Sequence, residues 1–265
     1  LLEVRRRDTP VPHFELQFEN DATHQTDAVI LALGGASWPQ TGSDGKWTGF
    51  LTNLGIPVAP LQPANCGWEF DWPADLIADI EGKPLKNIQV SANGHQATGE
   101  LMLTRYGIEG GAIYQLGATL REMDHPEIVI DLKPTFTVSE LISKLGGSRK
   151  NLLTVAKSAW KLSEPAAALL GLGNHETPES IAAAAKALRI PLLRPRPIDE
   201  VISSAGGVPF SEIDANLMLN RHPGIFLAGE MIDWEAPTGG YLMQGCFATA
   251  TRAANAASDW LKHFR

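Results

Sequence analysis

The residues with the most chemical content run from Gly229 to Gln244. A short apolar run over residues 223–228 reads as a buried strand that ends at Gly229. A loop with three carboxylates follows, Glu230, Asp233 and Glu235, and Thr238-Gly239-Gly240 then opens into a long helix that begins with Tyr241 and Leu242. Open α/β sheets take their ligands where strands end. Paired glycines let a ligand come close to the backbone, and free N–H groups at a helix start favour developing negative charge. A flavin suits that arrangement, because reduction places negative charge on its pyrimidine edge. A plain strand–loop–helix turn, with the glycines capping and the acids facing water, accounts for the same residues.

Other residue types offer less. The seven histidines are scattered, and no Ser-His-Asp order or metal-ligand spacing stands out. Cys66 and Cys246 lie far apart without a Cys-x-x-Cys, which excludes a short-spaced redox disulfide and argues against zinc. Both read as small buried residues, and two isolated thiols suit a reducing cytoplasm. Arg105-Tyr106 could line a cofactor face, but ordinary strand packing explains the pair better. The catalytic residue is unknown at this level.

The elements that must position Gly229–Gln244 can be read from periodicity. Residues 1–7 and 13–18 have strand character, with a turn at Asn20-Asp21. Residues 27–33 form an apolar run ending in Gly34-Gly35, as expected of a strand buried on both faces of a parallel sheet. A short helix is expected over 44–55. Pro57, Pro60 and Pro63 then suggest an extended linker. Strands are expected near 64–70, 86–92, 97–104 and 127–132, with Asn93-Gly94 as a hairpin turn. Residues 137–190 read as helical, with Thr177-Pro178 as a cap and first-turn proline. A strand is expected over 198–203 and another near Phe226. Leu242, Cys246, Phe247, Ala250, Ala253, Ala254, Ala257 and Leu261 predict one buried stripe on the last helix.

Four stretches resemble the bacterial two-dinucleotide-binding-domain flavoproteins, the aminoacetone oxidase family of FAD-binding, NAD(P)/FAD-dependent oxidoreductases. They are residues 32–42, with Gly34-Gly35 and Pro39-x-Thr41-Gly42, then residues 103–112, then Ala205-Gly206-Gly207-Val208, and Gly229 to Gln244. Leu33 stands where the family usually has Thr, and Glu109-Gly110-Gly111 replaces a common Ser-Gly-Pro. The resemblance implies an α/β fold: a partial FAD-binding, Rossmann-like domain of the glutathione-reductase type over 1–56 and 197–265. An insert over 57–196 would interrupt it, with a small β-barrel to about residue 135 and a helical part from about 136. It also implies FAD as cofactor, with NAD(P)H as a possible electron donor. Gly34 and Gly35 would lie near the dinucleotide. Glu230 and Asp233 would lie near the ribityl or pyrophosphate region, Gly239, Gly240, Tyr241 and Leu242 would offer backbone contacts to the ring, and Gly229 and Thr238 would also belong to the cofactor site. Such enzymes begin with Gly-x-Gly-x-x-Gly after a strand, which holds the ADP half of the cofactor. That motif does not occur here, so the chain is expected to be the N-terminally truncated part of a flavin-dependent oxidoreductase of unknown substrate.

Composition narrows the classes. The 265 residues are 44% hydrophobic, enough for one large core or two smaller ones. The net charge of −8 argues against nucleic acid as a partner, and against a flavoprotein that modifies nucleic acid. The basic clusters Arg5-Arg6-Arg7 and Arg194-Pro195-Arg196 read as solvated surface. No apolar run approaches the roughly 20 residues of a membrane helix. The partner expected is a small-molecule substrate in the cytoplasm. The alternative is a non-catalytic flavin-fold module that serves in binding or regulation.

Overall fold

A computed structural model describes residues 1, 3–7, 13–148 and 151–263, apart from the side chain of Arg7. In chain order the elements are β1 (Glu3–Arg7), β2 (His13–Gln17), β3 (Thr23–Thr26), β4 (Val29–Leu31), α1 (Trp47–Asn53) and β5 (Ala59–Ala64). They continue as β6 (Trp68–Glu69), α2 (Ala74–Ile80), β7 (Pro84–Ala92), β8 (His95–Thr104), β9 (Gly107–Glu109), α3 (Gly111–Gln115), α4 (Gly117–Arg121) and β10 (Glu127–Asp131). Then come α5 (Val138–Lys144), α6 (Leu152–Ala159), α7 (Glu164–Leu170), α8 (Pro178–Lys186), β11 (Leu188–Pro191), β12 (Ser203–Gly207), β13 (Ile225–Leu227) and α9 (Tyr241–Lys262). The chain divides into two compact units, Leu1–Ala64 with Pro197–Arg265, and Asn65–Arg196.

The first unit joins both ends of the chain. Strands β4 and β13 pair in parallel, with Val29 opposite Ile225 and Leu31 opposite Leu227. Beside them β1, β2 and β3 form an antiparallel meander. Phe14, Leu51, Ile56 and Phe226 are all but fully buried in a core that also takes Val208, Leu219 and Met231 from the second chain segment. Burying side chains of this size contributes about 1.5–3 kcal/mol each, so the two segments hold each other by their apolar surface.

Three expectations change in this unit. Residues 57–63 are not a linker: β5 pairs antiparallel with β12, Ser203 opposite Ala64 and Ala205 opposite Gln62. In a two-stranded ribbon a proline can turn its missing N–H away from the partner, so Pro60 and Pro63 are tolerated. This pairing carries the unit boundary to Ala64, past residue 56. The strand expected over 198–203 begins only at Ser203, because Ile198–Glu200 form a 3-10 turn after Pro197. The stripe on α9 is buried only at Ala253 and Ala257, while Phe247, Ala250 and Ala254 are exposed. Helical periodicity marks which residues share a face, and it does not say which face is covered.

The second unit holds a six-stranded sheet in the order β11-β10-β7-β8-β9-β6. Its edges are tied to one stretch of chain. β11 pairs with β10, and the residues just after it return to β6 through Glu69 N–H to Arg194 O (2.8 Å) and Arg196 N–H to Gly67 O (2.9 Å). That double attachment curls the sheet. Asn93 (φ 44°) and Gly94 (φ 82°) are both left-handed, as a two-residue turn between β7 and β8 requires. Thr137 caps α5 with Glu140 in a reciprocal box, and Thr177 caps α8 ahead of Pro178. The expected helical stretch gives up residues 188–190 to β11, while α2, α3 and α4 lie between the expected strands, where no helix was foreseen.

Arg196 departs from the solvated-surface reading. Its guanidinium lies 4.5 Å from the Tyr106 ring centroid and bonds Glu69 at 3.0 Å, and Glu69 also takes Arg194 at 2.7 Å. Tyr106 donates to the Glu109 carboxylate. Burial first, then that carboxylate, push its phenol well above the usual tyrosine range, so it keeps its proton.

Candidate functional site

The carboxyl ends of the parallel pair β4 and β13 open onto a cavity of about 470 Å³. Its lining includes Gly34, Gly35, Ser43 and Glu230. The loop after β4 is held from several sides. Leu33 N–H meets the Met231 sulfur at 3.1 Å, Ala36 N–H donates to Ser204 Oγ at 3.1 Å, and the Trp47 indole donates to Gly34 O at 2.8 Å. Ser43 donates to Gly35 O at 2.5 Å. A side chain at Gly35 would place its Cβ 2.0 Å from Ser204 Oγ and 3.3 Å from the Glu230 carboxyl. A side chain there would therefore have to displace the Ser204 hydroxyl that accepts from Ala36 N–H.

Glu230 sits in the turn that follows β13, Gly229–Met231. Its Oε1 accepts from Ser204 N–H at 3.4 Å, and Gly35 N–H also points at the carboxyl. Burial pushes its pKa up, against the pull of those two donors. The neighbouring Cys246 thiol is raised by burial and by the Glu230 charge, so it stays protonated and is no nucleophile. Among the described residues no cluster of His, Cys, Asp or Glu could hold a metal ion.

The remaining candidates are placed around this centre. Gly229 (φ 73°) donates to Thr249 Oγ1 at 3.0 Å and accepts from the Trp234 indole at 3.0 Å, which fixes the exit of β13 against α9. Asp233 N–H is bound to Val208 O at 2.9 Å, and its side chain is half-buried. Thr238, Gly239, Gly240 and Tyr241 are exposed at the start of α9, Leu242 is half-buried, and none of these five lines the 470 Å³ cavity. Gly240 (φ 91°) occupies the cap position, and a Cβ there would meet nothing within 4 Å. The cap makes no side-chain hydrogen bond, and the first-turn N–H groups of this 22-residue helix have no intrahelical acceptor. So Gly34, Gly35 and Glu230 come together at one cavity, and the glycine pair before α9 presents a separate open donor edge.

Trp38, Ile202, Ser204 and Met231 were not singled out from sequence, although each borders or braces the strand ends. Ser203-Ser204 before Gly206-Gly207 was the available signal. Short polar residues beside paired glycines are what close backbone approach asks for, and a Cβ at Gly206 would stand 2.2 Å from Pro60 O.

A parallel pair with paired glycines after one strand and an acid after the other, both at the carboxyl ends, suits a Rossmann-type unit. The chain belongs to the HI0933-like protein Rossmann domain family, whose model matches residues 3–256. That family is an FAD-binding Rossmann family within the FAD-dependent oxidoreductases. The chain is also similar to the 3-dehydro-bile acid delta(4,6)-reductase of Clostridium scindens, with 26% identity over 262 residues covering 88% of this chain. It spans 62% of that relative's length.

Proposed function

We propose that this chain supplies the flavin-binding strand ends and the insert of an FAD-dependent oxidoreductase acting on a small molecule. The observation that carries the reading is the meeting of Gly34, Gly35 and Glu230 at one cavity beyond the carboxyl ends of β4 and β13. The residues fit the group. Glu230 is a partly buried carboxylate that can accept from ribose or ribityl hydroxyls. The open backbone at Gly239-Gly240 and the start of α9 can donate to an edge that becomes negative. The flavin, when bound, accepts and donates hydride, and the chain's part is to bind, orient and polarise it. Asp233, Thr238, Tyr241 and Leu242 belong to the same reading as nearby support. The first unit is its FAD-binding domain and the second its insert.

The grip on the ADP half is assigned to polypeptide outside these residues. The chain contains no Gly-x-Gly-x-x-Gly, and β4 carries Ile30 at 42% exposure while α9 carries Met243 and Phe247 at 62% and 61%. A parallel pair with apolar side chains left open suits the addition of a further strand and helix. The aminoacetone oxidase resemblance implies flavin chemistry, and the relative is named a reductase; the two names differ in the direction of electron flow. NAD(P)H as donor rests on the resemblance alone.

The test is the visible spectrum of the longer polypeptide that contains this chain, with the cofactor released and identified. Expected is a yellow protein with stoichiometric FAD that bleaches under a hydride donor. A folded, colourless protein that takes up no FAD on dialysis would overturn the reading.

A further inference from the structure

Trp38 is in an unusual state. It stands at φ 49°, ψ 65°, in the left-handed region, immediately before Pro39, and its side chain is 49% exposed. A bulky residue in that region is an outlier, and a following proline narrows its choices further. The conformation is locked from behind, because Thr41 bonds the Trp38 carbonyl through both its N–H and its hydroxyl, each at 2.8 Å. Strain of this kind persists where the surroundings over-determine it, and it clusters at ligand clamps.

Its placement gives the strain a use. Trp38 lines the 470 Å³ cavity together with Ile202, which is itself 53% exposed. The rest of the lining is Ala32, Leu33, the glycines Gly34, Gly35 and Gly42, the hydroxyl residues Ser37, Thr41 and Ser43, and Glu230, with no Lys or Arg. Two large exposed apolar side chains, three hydroxyl residues, a part-buried carboxylate and no cation in the lining describe a site for a flat uncharged ring that carries a polyol. Lys46, in the adjoining cavity that shares Gly42 and Ser43, is paired with Asp44, so no unpaired cation lines the site for a phosphate.

We propose that Trp38 and Ile202 form a clamp for the heteroaromatic ring of a nucleotide whose ring-proximal sugar or ribityl hydroxyls reach Glu230. The isoalloxazine–ribityl end of FAD has that chemistry; the adenine–ribose end shares it, and its binding here would bring the ADP grip assigned above onto this chain. The proposal rests on the reading of the strand-end cavity as a cofactor site, and it assigns the ring contact within it.

The test uses the chain as it stands. The seven indole N–H resonances are recorded, and the Trp38 signal is assigned as the one missing from Trp38→Phe. FMN and AMP are then titrated separately. The Trp38 resonance should move with at least one of them, and the stronger arm identifies the ring. Trp38→Gly should bind that nucleotide about tenfold more weakly, while its melting temperature holds or rises because glycine accepts the left-handed backbone. Trp38→Phe should stay within about threefold of wild type. Unchanged affinity in Trp38→Gly, or a fall of more than a few degrees in its melting temperature, would overturn the clamp. If a nucleotide moves the Gly34 and Gly35 amides but not Trp38, the clamp falls and the cofactor reading stands. If neither nucleotide moves any of these resonances at millimolar concentration, the clamp falls, and the cofactor reading is decided by the spectrum of the longer polypeptide.

Discussion

Glu230 illustrates how one residue can be legible in chemistry and illegible in energetics. Its place after a strand-ending glycine marked it as a candidate, but nothing in its neighbours along the chain shows that Ser204 and Gly35 supply the N–H groups around it. Burial outweighs those donors and raises its pKa. An acid whose folded pKa exceeds its unfolded one favours folding most when protonated. That contribution is complete below the ordinary glutamate value and is lost as pH rises through the folded value. Glu230→Gln carries no such dependence. The variant should therefore gain stability relative to wild type as pH rises from the ordinary carboxylate range toward neutrality, with the gap closing in acid. Paired thermal melts across that range check it, and a gap that stays constant or widens in acid would show that the carboxyl is solvated. In a longer polypeptide of the kind proposed above, the same substitution should lower the flavin-to-protein ratio if the carboxylate holds a cofactor hydroxyl.

Elements were legible where a local rule has one dominant cause. The hairpin at Asn93-Gly94, the cap at Thr177-Pro178 and the strand near Phe226 follow from backbone sterics or a continuous apolar run. The strand at residues 59–64 was not legible, because its partner lies beyond residue 200 and prolines mimic a linker. The partial exposure of α9 was hidden for a related reason: apolar periodicity is the same on a covered and an uncovered face. The candidate site divides along the same line. Its glycines and acid could be read off the chain, whereas the bracing by Ser204, Met231 and Trp47 comes from long-range packing. Two glycines of the second unit separate local from long-range demand. A Cβ at Gly94 meets nothing within 4 Å, so Gly94→Ala should cost only the left-handed strain, about 1 kcal/mol. A Cβ at Gly107 would stand 2.0 Å from Trp68 O and 2.7 Å from Phe70 N, which are backbone atoms that cannot swing away. Gly107→Ala should therefore cost about 3 kcal/mol or more. Denaturant unfolding of both variants measures the contrast, and equal losses would mean that β6 and β9 part easily.

At the scale of the whole molecule, the discontinuous first unit needs its two segments to find each other across 132 intervening residues, Asn65–Arg196. Each unit solves its own closure locally. In the first, the outgoing chain at Ala64 is paired directly with the returning chain at Ser203. In the second, Arg196 N–H bonds Gly67 O at 2.9 Å, and Trp68 bridges Pro195, so its two ends also lie side by side. An inserted unit whose ends meet carries little loop-closure penalty for its host and can fold without it. The second unit has its own buried set, including Trp68, Leu85, Leu101, Leu103, Ile108 and Ile113, and its own closing strand connection. Residues 65–196 expressed alone should therefore give a monomer with a single cooperative thermal transition and the far-ultraviolet circular dichroism of a mixed α/β protein. The ends should be protected in hydrogen exchange at the Arg196 amide, because the Gly67 bond forms within the unit. A product that binds hydrophobic dye, melts without a cooperative transition, or exchanges the Arg196 amide at once would show that the second unit depends on the first for its fold.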